Sequence, residues 1–94
     1  MIYWVIYDIA KNKSRKKISD LCKDFGLERV QYSAFLGTLT RNKAEMLSIE
    51  AKRFLEETDR LIIVPAGKED FDKRIVMGNF DESIIKNKEV IFVE

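Results

Sequence analysis

Apolar positions divide the chain into short strand-like runs separated by two segments with helical spacing. Ile2–Asp8 is β-branched and aromatic, which predicts a strand. In Lys13–Phe25, apolar residues recur at spacings that place them on one face of a helix. The members of that stripe are Ile18, Leu21, Cys22 and Phe25. Asn12 or Ser14 can cap the start of this helix, and Gly26 stands where a left-handed residue commonly ends one.

The middle of the chain repeats this alternation of strand and helix. Leu27–Leu39 is rich in β-forming residues and predicts two short strands joined by a tight turn near Gln31–Ser33. A second helix is predicted over Lys43–Glu57, since Asn42 and Glu45 have the spacing of a capping box. Its predicted buried stripe consists of Ala44, Leu47, Ala51, Phe54 and Leu55.

The last third of the chain predicts shorter elements. They are a strand at Arg60–Val64 ended by Pro65, a loop, a short strand at Lys73–Met77, a turn around Gly78–Asp81 and a final strand at Glu89–Val93. The loop Lys68–Asp72 has acidic residues at a spacing compatible with metal binding. Because surface loops are usually charged, we assign it no function.

The predicted order βαββαβ with a C-terminal extension indicates a ferredoxin-like α+β fold, in which two helices cover one face of an antiparallel sheet. Ninety-four residues allow a single domain, 1–94, with its core at about 1–66 and the extension at about 73–94. Ile2–Tyr7 and Leu61–Val64 are nevertheless apolar on both faces of their strands. We therefore expect a homodimer with its sheets packed face to face and the C-terminal strand paired to the partner.

Composition excludes several kinds of chemistry. The chain contains no histidine, so Ser–His and Cys–His nucleophile pairs and imidazole acid–base catalysis are impossible. Cys22 is the only cysteine, which excludes an intrachain disulfide, and we expect it to be a packed thiol in a reducing cytoplasm. We recognise no signal peptide, and no apolar run approaches the ~20 residues that span a membrane. A hydrolase with this composition must use carboxylates, a metal ion or both.

The net charge of +1 conceals a gradient along the chain. Lys11–Arg29 contains seven basic and three acidic residues, whereas the segment from Leu61 to the end contains five basic and seven acidic ones. The first cluster is suited to neutralising phosphates, and a solvated helix face is the equally reasonable alternative.

Asp8 is the candidate for chemistry, because it ends a very hydrophobic strand immediately before the basic helix. A turn or cap residue is the structural alternative. A lone carboxylate is a poor site for Mg²⁺, which usually takes one or two carboxylates together with water and phosphate. In a two-fold dimer, two copies of Asp8 could share one ion that activates water.

Three strings resemble the CRISPR-associated protein 2 family in both residues and spacing: Val5–Ile9, Arg15–Lys17 and Phe25–Gly37. Leu61–Pro65 also fits the family's last core strand. The resemblance implies a prokaryotic, ferredoxin-like homodimer whose C-terminal segments add strands to the partner's sheet, with Asp8 as the ligand of Mg²⁺.

The same resemblance implies a function in the acquisition of spacers from foreign DNA. Some members cleave single-stranded RNA and others double-stranded DNA, and some are non-cleaving platforms for the spacer integrase, CRISPR-associated protein 1. The positions that match functional family positions are Tyr7, Asp8, Arg15, Lys17, Arg29 and Phe35. Lys17 stands where some members have arginine, which keeps the charge and loses the bidentate geometry.

Each of these residues also has a structural interpretation. Tyr7 and Phe35 could simply pack in the core, and Arg15 and Lys17 are two positions apart, so they do not share a helix face. Besides an endonuclease and a scaffold, an RNA reader with stacking aromatics on an open sheet is a third class, ranked last because a dimer covers that face. The family is also similar to toxin-type ribonucleases.

Overall fold

The structure, a computed structural model, describes residues 1–78. Its elements are β1 (Ile2–Asp8), α1 (Asn12–Asp24), β2 (Glu28–Gln31), β3 (Ala34–Thr38), α2 (Arg41–Lys52), β4 (Arg60–Ala66) and α3 (Lys68–Asp72). The strands lie in the order β2-β3-β1-β4, and each neighbouring pair is antiparallel. This arrangement confirms the predicted ferredoxin-like α+β fold.

The main core lies between the sheet and helices α1 and α2. Alternation along β1 directs Tyr3, Val5 and Tyr7 into it, as expected for a strand with two distinct faces. The other buried members are Ile9, Ile18, Cys22, Leu27, Phe35, Leu39, Ala44, Leu47 and Ala51. Cys22 is the packed thiol that the sequence predicted, and burial raises the pKa of this thiol to about 12.

Helix α3 packs on the opposite face of the sheet and corrects the prediction of a loop at Lys68–Asp72. Its only buried side chain, Phe71, contacts a second cluster containing Ile2 and Leu36, and its ring centroid lies 6.3 Å from that of Trp4. An ion pair of 2.8 Å joins Lys68 to Asp72 one turn later. The chain therefore covers part of its own second face, which the sequence assigned entirely to a partner.

Both long helices begin earlier than predicted. Lys11 is the N-cap of α1 and makes no side-chain capping bond, so neither Asn12 nor Ser14 has the capping role. The Thr40 side chain caps α2 by accepting a hydrogen bond from the Lys43 amide at 3.1 Å, in place of the predicted capping box. Gly26, at φ +83°, ends α1 as predicted.

Helix α2 also ends earlier than predicted, at Lys52 rather than Glu57. The Asp59 carboxylate accepts a hydrogen bond from the Glu56 amide at 2.8 Å, and this side-chain bond satisfies a backbone donor outside a helix. Phe54 and Leu55 still pack against the core from the turn that follows α2. The predicted apolar stripe therefore packs against the core without being wholly helical.

Strand β4 continues through Pro65 to Ala66, two residues beyond the predicted end. Pro65 pairs with Tyr3 of β1. Because β4 is at the edge of the sheet formed by residues 1–78, a residue without an N–H group is tolerated there.

The predicted strand at Lys73–Met77 is not a strand in the described chain, because nothing within residues 1–78 pairs with it. Ile75 and Met77 are among the most exposed apolar side chains, at 89% and 87%. The predicted turn around Gly78–Asp81 begins at Gly78, with φ +87°. Its remaining residues and the predicted strand Glu89–Val93 lie outside the described residues.

Candidate metal and nucleic-acid site

Asp8 is the last residue of β1 and is exposed. In the backbone register of the sheet Asp8 lies opposite Arg60 of β4. Strand alternation places the Asp8 side chain on the face of Trp4 and Ile6, opposite α1 and α2. Within residues 1–78 its carboxylate takes part in no hydrogen bond or ion pair. The carboxylate is therefore available to an external cation.

The loop that follows Asp8 is held from two sides. The Arg15 guanidinium donates hydrogen bonds from Nη1 to the carbonyl oxygens of Ile9 at 2.9 Å and Ala10 at 3.1 Å. The Asp59 carboxylate accepts a hydrogen bond from the Ala10 amide at 3.2 Å. These bonds satisfy backbone groups where the chain leaves the sheet, so they fix the end of β1 that carries Asp8.

On the helix side of the sheet, an aromatic pair supports Arg29. The rings of Tyr7 and Phe35 are stacked with centroids 6.3 Å apart, and the Arg29 guanidinium lies 5.2 Å from the Phe35 centroid. Arg29 also donates a 2.8 Å hydrogen bond to the buried Ser19 hydroxyl. Burial raises the pKa of the Tyr7 phenol, and the neighbouring Arg29 opposes this effect.

Above this pair lies a cleft of about 400 Å³ between α1 and the β2–β3 turn. Its lining residues are Tyr7, Asn12, Arg15, Lys16, Ser19, Asp20, Lys23, Arg29 and Tyr32. Four of them are cationic, and the single carboxylate, Asp20, is paired with Lys16 at 2.9 Å. The cleft is therefore suited to an anion.

The structure brings only some of the predicted site residues together. Arg15, Arg29 and Tyr7 line the cleft, and Phe35 lies beneath it with no exposed surface. The Lys17 ammonium lies instead 5.3 Å from the Phe54 ring centroid, on another face of α1. Asp8 is on the opposite face of the sheet.

Asp8 and the cleft nevertheless occupy the same end of the sheet. The Tyr7 amide donates a 3.0 Å hydrogen bond to the Ser33 carbonyl, which places the β2–β3 turn beside the end of β1. The Asp8 carboxylate and the cations of the cleft thus lie at one end of the sheet, on its two faces, rather than within one pocket.

The individual positions selected from sequence omit six residues of the cleft: Asn12, Lys16, Ser19, Asp20, Lys23 and Tyr32. Four of the five on α1, Asn12, Lys16, Ser19 and Lys23, are separated by three or four positions in turn, which is the spacing of one helix face. That spacing was the available signal. Tyr32 had none, because its position beside α1 depends on how the β2–β3 turn folds back.

The donor set allows a test of whether Asp8 fits a metal ion. Within residues 1–78, no group of three or more Cys, Asp or Glu side chains could hold a metal ion. Asp8 supplies one exposed, unpaired carboxylate, which is the oxygen donor that Mg²⁺ prefers. This single carboxylate is compatible with a hard divalent cation whose remaining ligands come from outside the described residues.

The fold and the cleft define the chain as a small ferredoxin-like domain with an anion-attracting surface. The family model described as CRISPR associated protein Cas2 matches residues 1–74. The chain belongs to this family. In the described residues, no helix is long and apolar enough to cross a membrane.

Individual proteins agree with the family match. The CRISPR-associated endoribonuclease Cas2 1 of Archaeoglobus fulgidus is 37% identical over 94 residues, which is 99% of this chain and 100% of that protein. The CRISPR-associated endoribonuclease Cas2 2 of Chloroflexus aurantiacus is 36% identical over 81 residues, covering 84% of this chain and 95% of that protein.

Solved structures confirm the fold. The crystal structure of Streptococcus pyogenes Cas2 has a TM-score of 0.72 and 25% identity, and the match covers 83% of this chain and 100% of that chain. A hypothetical protein of Thermus thermophilus has a TM-score of 0.75 and 34% identity, with 85% and 93% covered.

One shorter match is to a protein that is named as a fusion of two proteins. The CRISPR-associated endonuclease Cas1/endonuclease Cas2 fusion of Thermoproteus tenax is 46% identical over 35 residues, which are 37% of this chain and 13% of that protein.

Proposed function

We propose that this Cas2 family member is a Mg²⁺-dependent endonuclease of the prokaryotic cytoplasm that cleaves phosphodiester bonds, with single-stranded RNA as substrate, during spacer acquisition. The observation that carries the proposal is the exposed, unpaired Asp8 carboxylate at the end of β1, at the same end of the sheet as a cationic cleft on the opposite face. Relatives that cover most of the chain are named endoribonucleases, which supports the same activity.

The proposed active form is a homodimer built on the open face of the sheet. Ile6 and Ile62 are paired neighbours on β1 and β4, and they are 41% and 53% exposed. Val64, the next residue of β4 on the same face, is 39% exposed. This apolar patch adjoins Asp8 on the same face, so a two-fold contact between patches brings two Asp8 residues to one interface.

In this dimer the two Asp8 carboxylates would hold the cation. When bound, Mg²⁺ supplies an activated water and screens the charge of the phosphate. Arg15 holds the loop behind Asp8 through the Ile9 and Ala10 carbonyls. Arg15 therefore contributes to position as well as to charge.

The remaining predicted residues would bind and orient the substrate backbone. Arg29, braced by Ser19 and by the Phe35 ring, offers its guanidinium in a fixed orientation to a phosphate. Tyr7 and Phe35 act through Arg29 in this scheme. Lys17 extends the cationic surface along a neighbouring face of α1.

The test is a cleavage assay with labelled single-stranded RNA, single-stranded DNA and duplex DNA, each with Mg²⁺ and with chelator. We expect cleavage of the RNA that requires the added ion, because Asp8 alone cannot activate water without it. Equal cleavage in chelator would contradict the metal role, and cleavage of the DNA substrates alone would reassign the substrate.

A second function is favoured by the Thermoproteus tenax fusion, in which a Cas2 unit is joined to a Cas1 unit. Here the homodimer is a non-catalytic, DNA-binding scaffold for CRISPR-associated protein 1, the spacer integrase. The cationic cleft would then bind a duplex backbone, and Asp8 would be structural. No cleavage of any substrate, together with binding of duplex DNA and of the integrase, would favour this function over the first.

Ile62→Lys is expected to convert the dimer into monomers, because it places a charge in the centre of the open-face patch. Sedimentation at constant protein concentration measures the change. Ile49→Lys is the matched control, since Ile49 is 68% exposed on α2, away from this face. An Ile62→Lys protein that sediments as wild type would contradict the face-to-face dimer.

A further inference from the structure

The side chain of Tyr32 borders the cationic cleft at the tip of the β2–β3 turn and is 71% exposed. The Arg15 guanidinium lies 5.9 Å from the Tyr32 ring centroid, and Arg15 is itself held by two backbone carbonyls. An aromatic ring in this position contributes little to the core. It offers a flat apolar surface next to a concentration of positive charge.

The remaining cations of the cleft are placed for a phosphate. Lys16 follows Arg15 directly, Lys23 lies about two turns further along α1, and both line the cleft, with Arg29 across it on β2. The volume of about 400 Å³ is within the range of sites for small ligands. The aromatic ring beside this cleft matches the base of a nucleotide, and the cations that line it match the phosphate.

We infer that the cleft binds one unpaired nucleotide, with its base stacked on Tyr32 and its phosphate held by Arg29 and the α1 lysines. The inference rests on the proposed function, and it specifies the substrate as single-stranded nucleic acid. A base in a duplex is covered on both faces by its neighbours, so it cannot stack on Tyr32 without being unstacked. The stacking surface thus selects strands whose bases are free.

The test is equilibrium binding of a short labelled single strand, followed by fluorescence anisotropy in chelator so that no cleavage occurs. RNA and DNA versions form separate arms, and a duplex of the same sequence is a third. Tyr32→Ala should weaken binding of both single strands roughly 5- to 150-fold, the effect of losing one stacked base. Tyr32→Phe should bind as wild type, because it keeps the ring, and the duplex should bind Tyr32→Ala and wild type equally.

An abasic strand separates stacking from other roles of Tyr32. If Tyr32 stacks on a base, Tyr32→Ala weakens the normal strand but leaves binding of the abasic strand unchanged. An equal loss for both strands would overturn the inference, since Tyr32 would then act only by positioning Arg15. An unchanged affinity for the normal strand would overturn it as well.

The salt dependence of binding tests whether the cations of the cleft hold the phosphate of the nucleotide. Lys23→Ala should reduce the slope of log affinity against log salt by about 0.7, the value for one lost phosphate contact with a single strand. Tyr32→Ala should leave the slope unchanged, and Lys52→Ala, outside the cleft, should do the same. An unchanged slope in Lys23→Ala would exclude the lysine as a phosphate ligand.

All of these binding measurements are made in chelator, so their results do not depend on cleavage. Loss of nuclease activity with intact Tyr32-dependent binding would contradict the proposed enzyme alone. Cleavage with no contribution from Tyr32 would contradict the stacking site alone.

Discussion

Asp8→Asn is expected to abolish Mg²⁺-dependent cleavage while leaving the fold and the dimer intact. The amide keeps the shape of the side chain and loses the negative charge that binds a hard cation. Replacing groups that merely support metal ligands costs about 10–100-fold, so loss of the ligand itself should exceed about 100-fold. The measurement is the single-turnover cleavage rate of labelled RNA at saturating Mg²⁺.

The structure predicts that this substitution is nearly neutral for stability. Within the described residues the Asp8 carboxylate makes no bond that the amide would lose, so the free energy of unfolding should change by less than about 0.5 kcal/mol. Asp24→Asn is the control, because it removes an exposed carboxylate at the end of α1. Wild-type cleavage by Asp8→Asn would end the enzyme proposal in favour of the scaffold.

The fold could be predicted because local pattern and tertiary packing agree along most of the chain. The apolar residues that the helical spacing selects in α1, such as Ile18 and Cys22, are buried in the same core as the alternate residues of β1. The sequence pattern and the tertiary packing therefore agree on which side chains are buried. Helix α3 could not be predicted, since five residues with one apolar side chain, Phe71, carry no periodicity. Its formation depends on Phe71 finding Ile2 and Leu36 across the sheet.

The candidate site was predicted residue by residue, but its arrangement was not. Asp8 and Arg29 were selected from sequence, whereas their separation onto opposite faces follows from the parity of β1 and the register of β2 with β3. Lys17 was selected and lies away from the cleft, while Lys23, included only as a member of the basic Lys11–Arg29 cluster, lines it. Charge along a helix identifies a basic segment, and only the helix's rotation against the sheet determines which cations share a cleft.

The role of Phe35 depends on that same packing. Its side chain has no exposed surface and lies between two groups of the site, stacked on Tyr7 and beneath the Arg29 guanidinium. A loss of activity on its removal would therefore have a structural cause before any chemical one.

Phe35→Ala is expected to lower the free energy of unfolding by about 3–5 kcal/mol, because it removes a buried ring and leaves a cavity in the main core. A small domain has about 5–15 kcal/mol in total, so the variant should be unfolded or marginal. Urea denaturation at a fixed protein concentration measures the loss. Tyr32→Ala, which removes an exposed ring from the adjacent turn, should change stability by less than about 0.5 kcal/mol.

Phe35→Leu distinguishes packing from a specific aromatic role. Leucine restores most of the buried volume and none of the ring's attraction for the Arg29 guanidinium, which is worth about 0.5–1 kcal/mol at an exposed site. We therefore expect Phe35→Leu to recover most of the stability lost in Phe35→Ala, and to bind single-stranded RNA more weakly than wild type because Arg29 is less well held. A Phe35→Ala protein as stable as wild type would show that the core closes over the missing ring, and the structural explanation for Phe35 would fail.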